Sequence, residues 1–157
     1  MRIVWRRPNK RVFDHGVSAC FVLEKIVMLT AFEEFLDDIS RCFITRELYV
    51  WTSRLILPFS IVTRYGPVVM PTEEHVSASF NLYLVACDVM QLDLIDRRII
   101  SLDDCKDGTW LGTFETRLVR KETLATSPYT ATALLHHRGG RFKMSSMLNG
   151  RGHQEWT

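Results

Sequence analysis

The chain has 157 residues, of which 46% are hydrophobic and 24% charged, and its formal net charge is +2. A chain of this length can bury enough surface to form one compact domain, and its composition is that of an ordinary globular protein. The net charge is too small to indicate binding to nucleic acid or to a membrane surface. Four widely spaced cysteines without a C-x-x-C pair predict reduced cytoplasmic thiols instead of a disulfide framework or a zinc site: Cys20, Cys42, Cys87 and Cys105.

The first 27 residues differ from the rest of the chain. They are basic, and they lack the uninterrupted apolar stretch of a secretory signal. Two interpretations stay open: a basic, disordered N-terminal extension (residues 1–27), or a translation start at Met28. In both cases we predict a single folded domain over residues 28–157. The basic residues at the start are Arg2, Arg6, Arg7, Lys10 and Arg11.

Three helices are predicted in the first half of the chain. Thr30 and Glu33 have the spacing of a capping box, which would begin the first helix. Thr45 begins a second helix that Pro58 ends, and Pro71-Thr72, followed by two acids, begins a third. The first helix has one apolar stripe, formed by Phe32, Phe35, Leu36, Ile39, Cys42 and Phe43.

Extended runs make up most of the remainder. Phe59–Arg64 and Pro67–Met70 flank Tyr65-Gly66 and predict a hairpin between the second and third helices. After the third helix, turn sequences separate four runs with the alternation of strands. These are Leu92–Leu102, Thr109–Arg120, Tyr129–His137 and Arg141–Leu148.

The order helix, helix, hairpin, helix and four strands resembles the nuclear transport factor 2-like superfamily, in particular its SnoaL-like members. The sequences LILPFSIVTRYGPVVMPTEE, DGTWLGTFETRLVR and GGRFKMSSMLN carry the resemblance, which extends from about Thr30 to His153. It implies an α+β fold in which three N-terminal helices pack on a strongly curved, mainly antiparallel sheet. Such a cone encloses a pocket. The resemblance also implies a homodimer that uses the outer face of the sheet.

The chemistry does not follow from this resemblance, because the superfamily includes ketosteroid isomerases, dehydratases, polyketide cyclases and adaptors without catalysis. The isomerases use a carboxylate base together with hydroxyl and acid donors. By the order of helices and turns, the base would fall near Thr63–Tyr65, the tyrosine donor near Ile39 and the second acid near Thr132. None of these positions carries the required group. The resemblance therefore does not extend to the isomerase mechanism.

Asp96 and His136 are the candidate catalytic residues. Each lies on a predicted strand that could face the cone, where a buried carboxylate or an imidazole can exchange protons near neutral pH. The alternative for Asp96 is a surface ion pair with Arg97, Arg98 or Arg117. The alternative for His136, next to a Gly-Gly turn, is a plain surface position. The sequence has no metal-binding motif and no phosphate-binding glycine loop, so we expect no cofactor.

Large aromatic side chains from several elements favour ligand binding over catalysis, because small-molecule sites are mostly apolar cavities with a few polar groups. The alternative is that these rings only fill the core. The predicted ligand-binding residues are Trp51, Arg64, Tyr83, Trp110, Phe114, Tyr129 and Thr132.

We therefore expect a cytoplasmic homodimer whose conical pocket binds a small, largely apolar molecule, with or without catalysis. The alternative is a non-catalytic module for protein interaction, adaptor function or dimerisation, using the sheet face or the basic N-terminal residues. An empty cavity packed shut by Trp110 and Phe114 would favour the alternative. An open pocket with a buried carboxylate or histidine would favour an enzyme.

Overall fold

A computed structural model describes residues 17–156, so most of the predicted basic extension lies outside the described residues. The described helices are α1 (Val17–Thr45), α2 (Leu48–Ser53), α3 (Glu73–Met90) and α4 (His153–Trp156). The described strands are β1 (Leu55–Thr63), β2 (Gly66–Met70), β3 (Leu94–Asp104), β4 (Thr109–Arg120), β5 (Thr123–Leu124), β6 (Tyr129–Arg138) and β7 (Arg141–Leu148). Within residues 17–156, no helix is long and apolar enough to cross a membrane.

The first helix begins earlier than the capping box predicted. Thr30 lies inside α1, and its hydroxyl donates to the Ile26 carbonyl at 3.0 Å instead of capping a helix start. The preceding residues include good helix formers such as Leu23 and Lys25, so the helix continues through them. Residues 19–27 are exposed, and Met28 is the first buried residue. The domain boundary at Met28 falls inside α1 and stays a prediction.

The strands form one curved, mixed sheet in the order β2-β1-β7-β6-β4-β3, with β5 paired to β4. All neighbouring pairs are antiparallel except β1 and β7, which are parallel. Register shifts interrupt three of these pairs, and such irregularities bend and twist a sheet. The predicted α+β architecture is confirmed: helices at the N-terminal side, a hairpin, a further helix and four long strands.

Pro58 does not end the second helix as predicted, because α2 has already ended at Ser53. Pro58 lies within β1, after a cis peptide bond with Leu57. The pairing of β1 with β7 shifts register between Leu55 and Ser60, around this proline. A proline lacks the N–H that a regular ladder needs, so an irregular segment is where a strand accommodates it.

The apolar stripe of α1 packs against the inner face of the sheet. Phe32 lies against Phe35, Phe114 and Phe142 with ring-centroid distances of 6.2 to 6.4 Å. Gly112 on β4 makes this approach possible, since an added Cβ would lie 2.5 Å from the Phe32 ring. The sequence periodicity therefore correctly identified the face of α1 that forms the core.

A buried ion cluster joins α1 to the sheet. The Arg54 side chain is only 3% exposed, and its Nε and Nη2 donate to one Asp38 oxygen at 2.9 and 2.7 Å. Its Nη1 donates to the Phe142 carbonyl at 3.0 Å. Arg41 and Arg141 add further hydrogen bonds to the same carboxylate. The charge of Arg54 is thus matched within the fold.

Candidate functional site

A small chamber lies inside the cone where the C-terminal half of α1 meets α2, α3 and α4. Its lining includes Phe43, Trp51, Tyr83 and Trp156 from the four helices, facing Phe114 on the sheet. The free volume is about 30 Å³, which is room for about one or two water molecules. Sites for drug-sized ligands have roughly 300–1,000 Å³. As the chain is folded here, the chamber is too small for an organic ligand.

The polar groups of this chamber are incompletely bonded. Three residues of its lining each have a buried polar atom without a hydrogen-bond partner: Arg97 Nε, Thr116 Oγ1 and Trp156 Nε1. Among the described residues, these are all the buried side-chain nitrogen and oxygen atoms in that condition. A buried donor without a partner costs about 1–3 kcal/mol. Their concentration around one cavity marks it as different from the rest of the core.

Arg97 enters the interior from β3, between the inward-facing Ile95 and Ile99. Its Nη1 donates to the Ile39 carbonyl at 2.9 Å and lies 3.0 Å from Ser40 Oγ, both on α1. Part of the residue also reaches a surface groove beside α1. Burial of part of the side chain lowers the pKa of the guanidinium, because desolvation disfavours its charged form. No carboxylate of residues 17–156 forms an ion pair with it.

Two tyrosines complete the polar part of the chamber. Burial raises the pKa of both Tyr83 and Tyr129, so each phenol stays protonated at neutral pH. The Tyr83 hydroxyl donates to the Arg151 carbonyl at 2.6 Å. The Tyr129 hydroxyl faces Thr116 and Trp156, whose side chains favour its ionised form. Thr116 Oγ1 and Trp156 Nε1 nevertheless form no hydrogen bond with the Tyr129 hydroxyl, and both atoms are unpaired.

The segment after β7 closes the chamber. Gly150 passes close to β1, where an added Cβ would lie 2.4 Å from Ile61 Cγ2, so only glycine fits without a shift. The chain then places Trp156 between Phe43 and Tyr83, with ring-centroid distances of 5.9 and 4.8 Å. The indole is 2% exposed. One turn of helix therefore supplies the ring that fills the cone.

The opposite side of α4 borders a larger groove, which we call the mouth groove. It has a volume of about 450 Å³ and lies between the β1–β2 hairpin, α3 and α4. Its lining is mainly apolar and includes Val68, Val69, Met70 and Leu82. Ile61 and Tyr83 line both the mouth groove and the chamber; with α4 they form the partition between the two.

No protein-family model and no curated protein matches the chain, but solved structures do. An NTF-2 like protein of unknown function from Shewanella oneidensis superposes with a TM-score of 0.58 at 10% identity, over 80% of this chain and 97% of that one. A cystatin-like domain of unknown function from Nostoc punctiforme gives 0.60 at 11% identity, over 76% and 74%. A ketosteroid isomerase-like protein from Erwinia carotovora gives 0.51 at 11% identity, over 87% and 95%. The chain has the nuclear transport factor 2-like fold.

Four of the predicted ligand-binding residues meet at the chamber of this nuclear transport factor 2-like fold. They are Trp51, Tyr83, Phe114 and Tyr129. Arg64 lies at the rim, where it pairs with Glu155 at 3.0 Å and is largely exposed. Their role in binding a ligand stays a prediction.

Trp110 and Thr132 lie away from the chamber. Trp110 packs against Phe142 and lines a surface depression beside the N-terminal half of α1. Thr132 alternates with the buried Ala131 and Ala133, so it points to the outer face of the sheet, where it hydrogen-bonds Thr113 at 3.0 Å. Neither lines the chamber or the mouth groove of the cone.

Asp96 and His136, the predicted catalytic residues, also lie on the outer face of the sheet. Asp96 accepts a hydrogen bond from Arg98 at 2.8 Å, and its side chain is 31% exposed. His136 lies 2.8 Å from Ser145 Oγ on the neighbouring strand. Neither residue lines the chamber or the mouth groove. Their catalytic role stays a prediction. Asp96 is in an ion pair with Arg98, and His136 is beside Ser145, on the side of the sheet that faces away from the helices.

The sequence reasoning missed Arg97, Thr116 and Trp156. A signal existed for Arg97, because strand alternation places it on the same face as Ile95 and Ile99. Thr116 likewise shares the face of Phe114 and Leu118 on β4. Trp156 gave no signal: a single helical turn is too short to show a periodic pattern.

Proposed function

We propose that this protein binds a small, largely apolar molecule at the mouth of its cone. The observation that carries the proposal is the mouth groove, a mainly apolar concavity of about 450 Å³. This volume falls within the range typical of small-molecule sites. A few polar groups at its rim, His75, Ser79 and Gln154 among them, could orient a ligand.

Binding is better supported than proton-transfer catalysis. The titratable groups that line the chamber are Tyr83, Tyr129, Arg97 and Arg151. Protonated phenols and guanidinium groups are donors, and neither accepts a proton near neutral pH. A general base needs a pKa near the working pH and contact with the reacting atom. Among the described residues, no carboxylate or imidazole lines the chamber; the mouth groove has His75, His153 and Glu155 in its lining, and Glu155 is paired with Arg64.

A pair of variants on α3 tests the proposal. Leu82 lines the mouth groove, whereas Val85 is similarly exposed on the same helix and does not line it. We expect Leu82→Asp to weaken binding of the uncharged apolar dye Nile red by about tenfold or more, since a charge in an apolar site is costly. Val85→Asp should leave binding unchanged. Fluorescence titration measures both. Equal affinity for the two variants, or no binding to the wild type, would contradict the proposal.

One observation favours the second candidate, an interaction module. The N-terminal part of α1 exposes several large apolar side chains, and such patches are typical of interaction surfaces. They are Phe21, Val22, Leu23, Ile26 and Val27, each at least 50% exposed. If this is the principal function, Ile26→Glu should abolish self-association or partner binding in light-scattering measurements while Nile red binding persists.

The homodimer and the cytoplasmic location belong to the proposal as well. The outer sheet face that would form the dimer contains partly buried residues such as Leu134. We expect Leu134→Arg to convert a dimer to a monomer in light scattering.

All four cysteines are free, and burial raises the pKa of Cys42 to about 12 and of Cys87 to about 11. These two thiols stay protonated and unreactive, which suits a reducing compartment.

A further inference from the structure

The chamber has a positive charge that the fold does not neutralise. Arg97 donates to a backbone carbonyl and lies within hydrogen-bond distance of the Ser40 hydroxyl, but it forms no ion pair with an acid of residues 17–156. Arg97 as a whole is half-buried, but its Nε is buried, and a charged group withdrawn from water without a partner is unfavourable. An anion beside Arg97 Nε would supply the missing charge and the missing acceptor together.

The unpaired atoms around Arg97 select the same kind of ligand. Arg97 Nε can only donate a hydrogen bond, and the Thr116 hydroxyl can donate as well. A carboxylate offers two oxygens with about four acceptor positions and can accept from both. The rest of the lining is aromatic, with Phe43, Trp51 and Tyr83 close together.

Trp156 occupies the space that an aromatic ligand would need. Its indole lies among Phe43 and Tyr83 as a bound ring would, yet its N–H has no partner. The helix that holds it is four residues long and follows Asn149, with φ 55°, and two glycines. The contacts of this segment include Gly150 N–H to the Val62 carbonyl, the Tyr83 hydroxyl to the Arg151 carbonyl, the Arg151 guanidinium over the Tyr129 ring, and Glu155 to Arg64.

We infer that the chamber is the binding site for an aromatic carboxylic acid, whose carboxylate pairs with Arg97 and whose ring replaces the indole of Trp156. The inference rests on the proposed function and specifies the ligand class. The mouth groove shares Ile61 and Tyr83 with the chamber, so an outward movement of α4 joins the two volumes. Trp156 then acts as a lid that the ligand displaces.

The test compares phenylacetate with phenylacetamide, which has the same shape without the charge. For the wild type, calorimetric titration should give at least about tenfold tighter binding of phenylacetate, the order expected for hydrogen bonds to a charged group. Arg97→Met should remove this preference. Trp156→Ala should strengthen phenylacetate binding by about tenfold, because the ligand no longer has to displace the lid. Equal affinity of the wild type for the two probes would overturn the inference.

A gentler variant keeps the test valid if Arg97→Met does not fold. Thr116→Val removes one unpaired donor at nearly constant volume and should reduce the preference for phenylacetate severalfold. A preference that Thr116→Val leaves unchanged would overturn the inference. Nile red separates the two proposals. If the dye binds and the carboxylate preference is absent, only the inference fails. If neither dye nor acid binds, the proposed function fails with it.

Discussion

Two arginines between α1 and the sheet, Arg54 (buried) and Arg97 (half-buried), have opposite surroundings. Arg54 donates twice to Asp38 and once to the Phe142 carbonyl, and its guanidinium carbon lies 5.9 Å from the centre of the Phe35 ring. Arg97 has no carboxylate partner within residues 17–156, and its Nε is unpaired. Both arginines bond α1 to the sheet. The fold supplies a counter-charge for the first arginine and leaves the second without one.

We use this difference to distinguish a charge that is paired as part of the fold from a charge that is left for a ligand. A buried ion pair with all its donors used is part of the framework, and removal of one partner is costly. By contrast, we propose that the unused donor of the half-buried Arg97, beside the chamber, is available to a ligand. The chamber therefore carries more information about function than the larger aromatic cluster around Phe32, whose rings are fully packed.

The largest effect is expected next to Arg54. Phe35→Ala should lower the free energy of unfolding by about 3–5 kcal/mol, the usual cost of truncating a buried phenylalanine. Phe35 is 0% exposed. Phe21→Ala, on the same helix at 65% exposure, should change stability by no more than about 0.5 kcal/mol. Urea unfolding measures both. Similar values for the two variants would mean that the core-facing side of α1 is wrongly assigned.

Asp38→Ala should cost about 3 kcal/mol, because it leaves the buried Arg54 without its counter-charge. Asp38 itself is 19% exposed, which places the estimate at the low end of the range for buried pairs. The matched control is Asp88→Ala: its ion pair with Arg46 is more than half exposed and contributes at most about 1 kcal/mol. A loss for Asp38→Ala no greater than that of the control would remove the ion cluster from the framework.

Arg97→Met should change the free energy of unfolding by at most about 1 kcal/mol. The variant loses two hydrogen-bond partners on α1 but also removes a half-buried charge that has no ion-pair partner within residues 17–156, and these effects oppose each other. The comparison with Asp38→Ala in the same urea series is the sharpest contrast between the two arginines. A loss above about 3 kcal/mol would assign Arg97 to the framework and not to a site.

The smallest effect is expected at the N-terminal side. Deletion of residues 1–27 should change the stability of the domain by no more than about 0.5 kcal/mol, because residues 19–27 of α1 are exposed. Thermal unfolding of the full chain and the shortened chain tests this. Loss of the cooperative transition in the shortened chain would show that the core extends before Met28.

The order of elements and the inward faces could be predicted because they depend on periodic patterns within long segments. The stripe from Phe32 to Phe43 and the alternation in β4 both fall in this class. Alternation specifies a face of the sheet but not a position along it. Trp110 therefore shares a face with Phe114 but lies about 13 Å further along the strand, beside the opposite half of α1.

The closure of the cone could not be predicted. Trp156 reaches the interior only because the chain after β7 turns back at Asn149 and Gly150, and no local pattern indicates where such a turn leads. Arg97 was interpreted as a surface partner of Asp96 because an arginine in a strand is most often solvated. Its burial depends on α1 covering β3, which is a tertiary contact.

The most direct test of the site is a crystal structure with para-bromophenylacetate. We expect an anomalous bromine peak between Phe43 and Tyr83, the carboxylate at hydrogen-bond distance from Arg97 Nε, and Trp156 displaced from its present position. A structure in which the indole still fills the chamber and the bromine lies elsewhere would contradict this expectation.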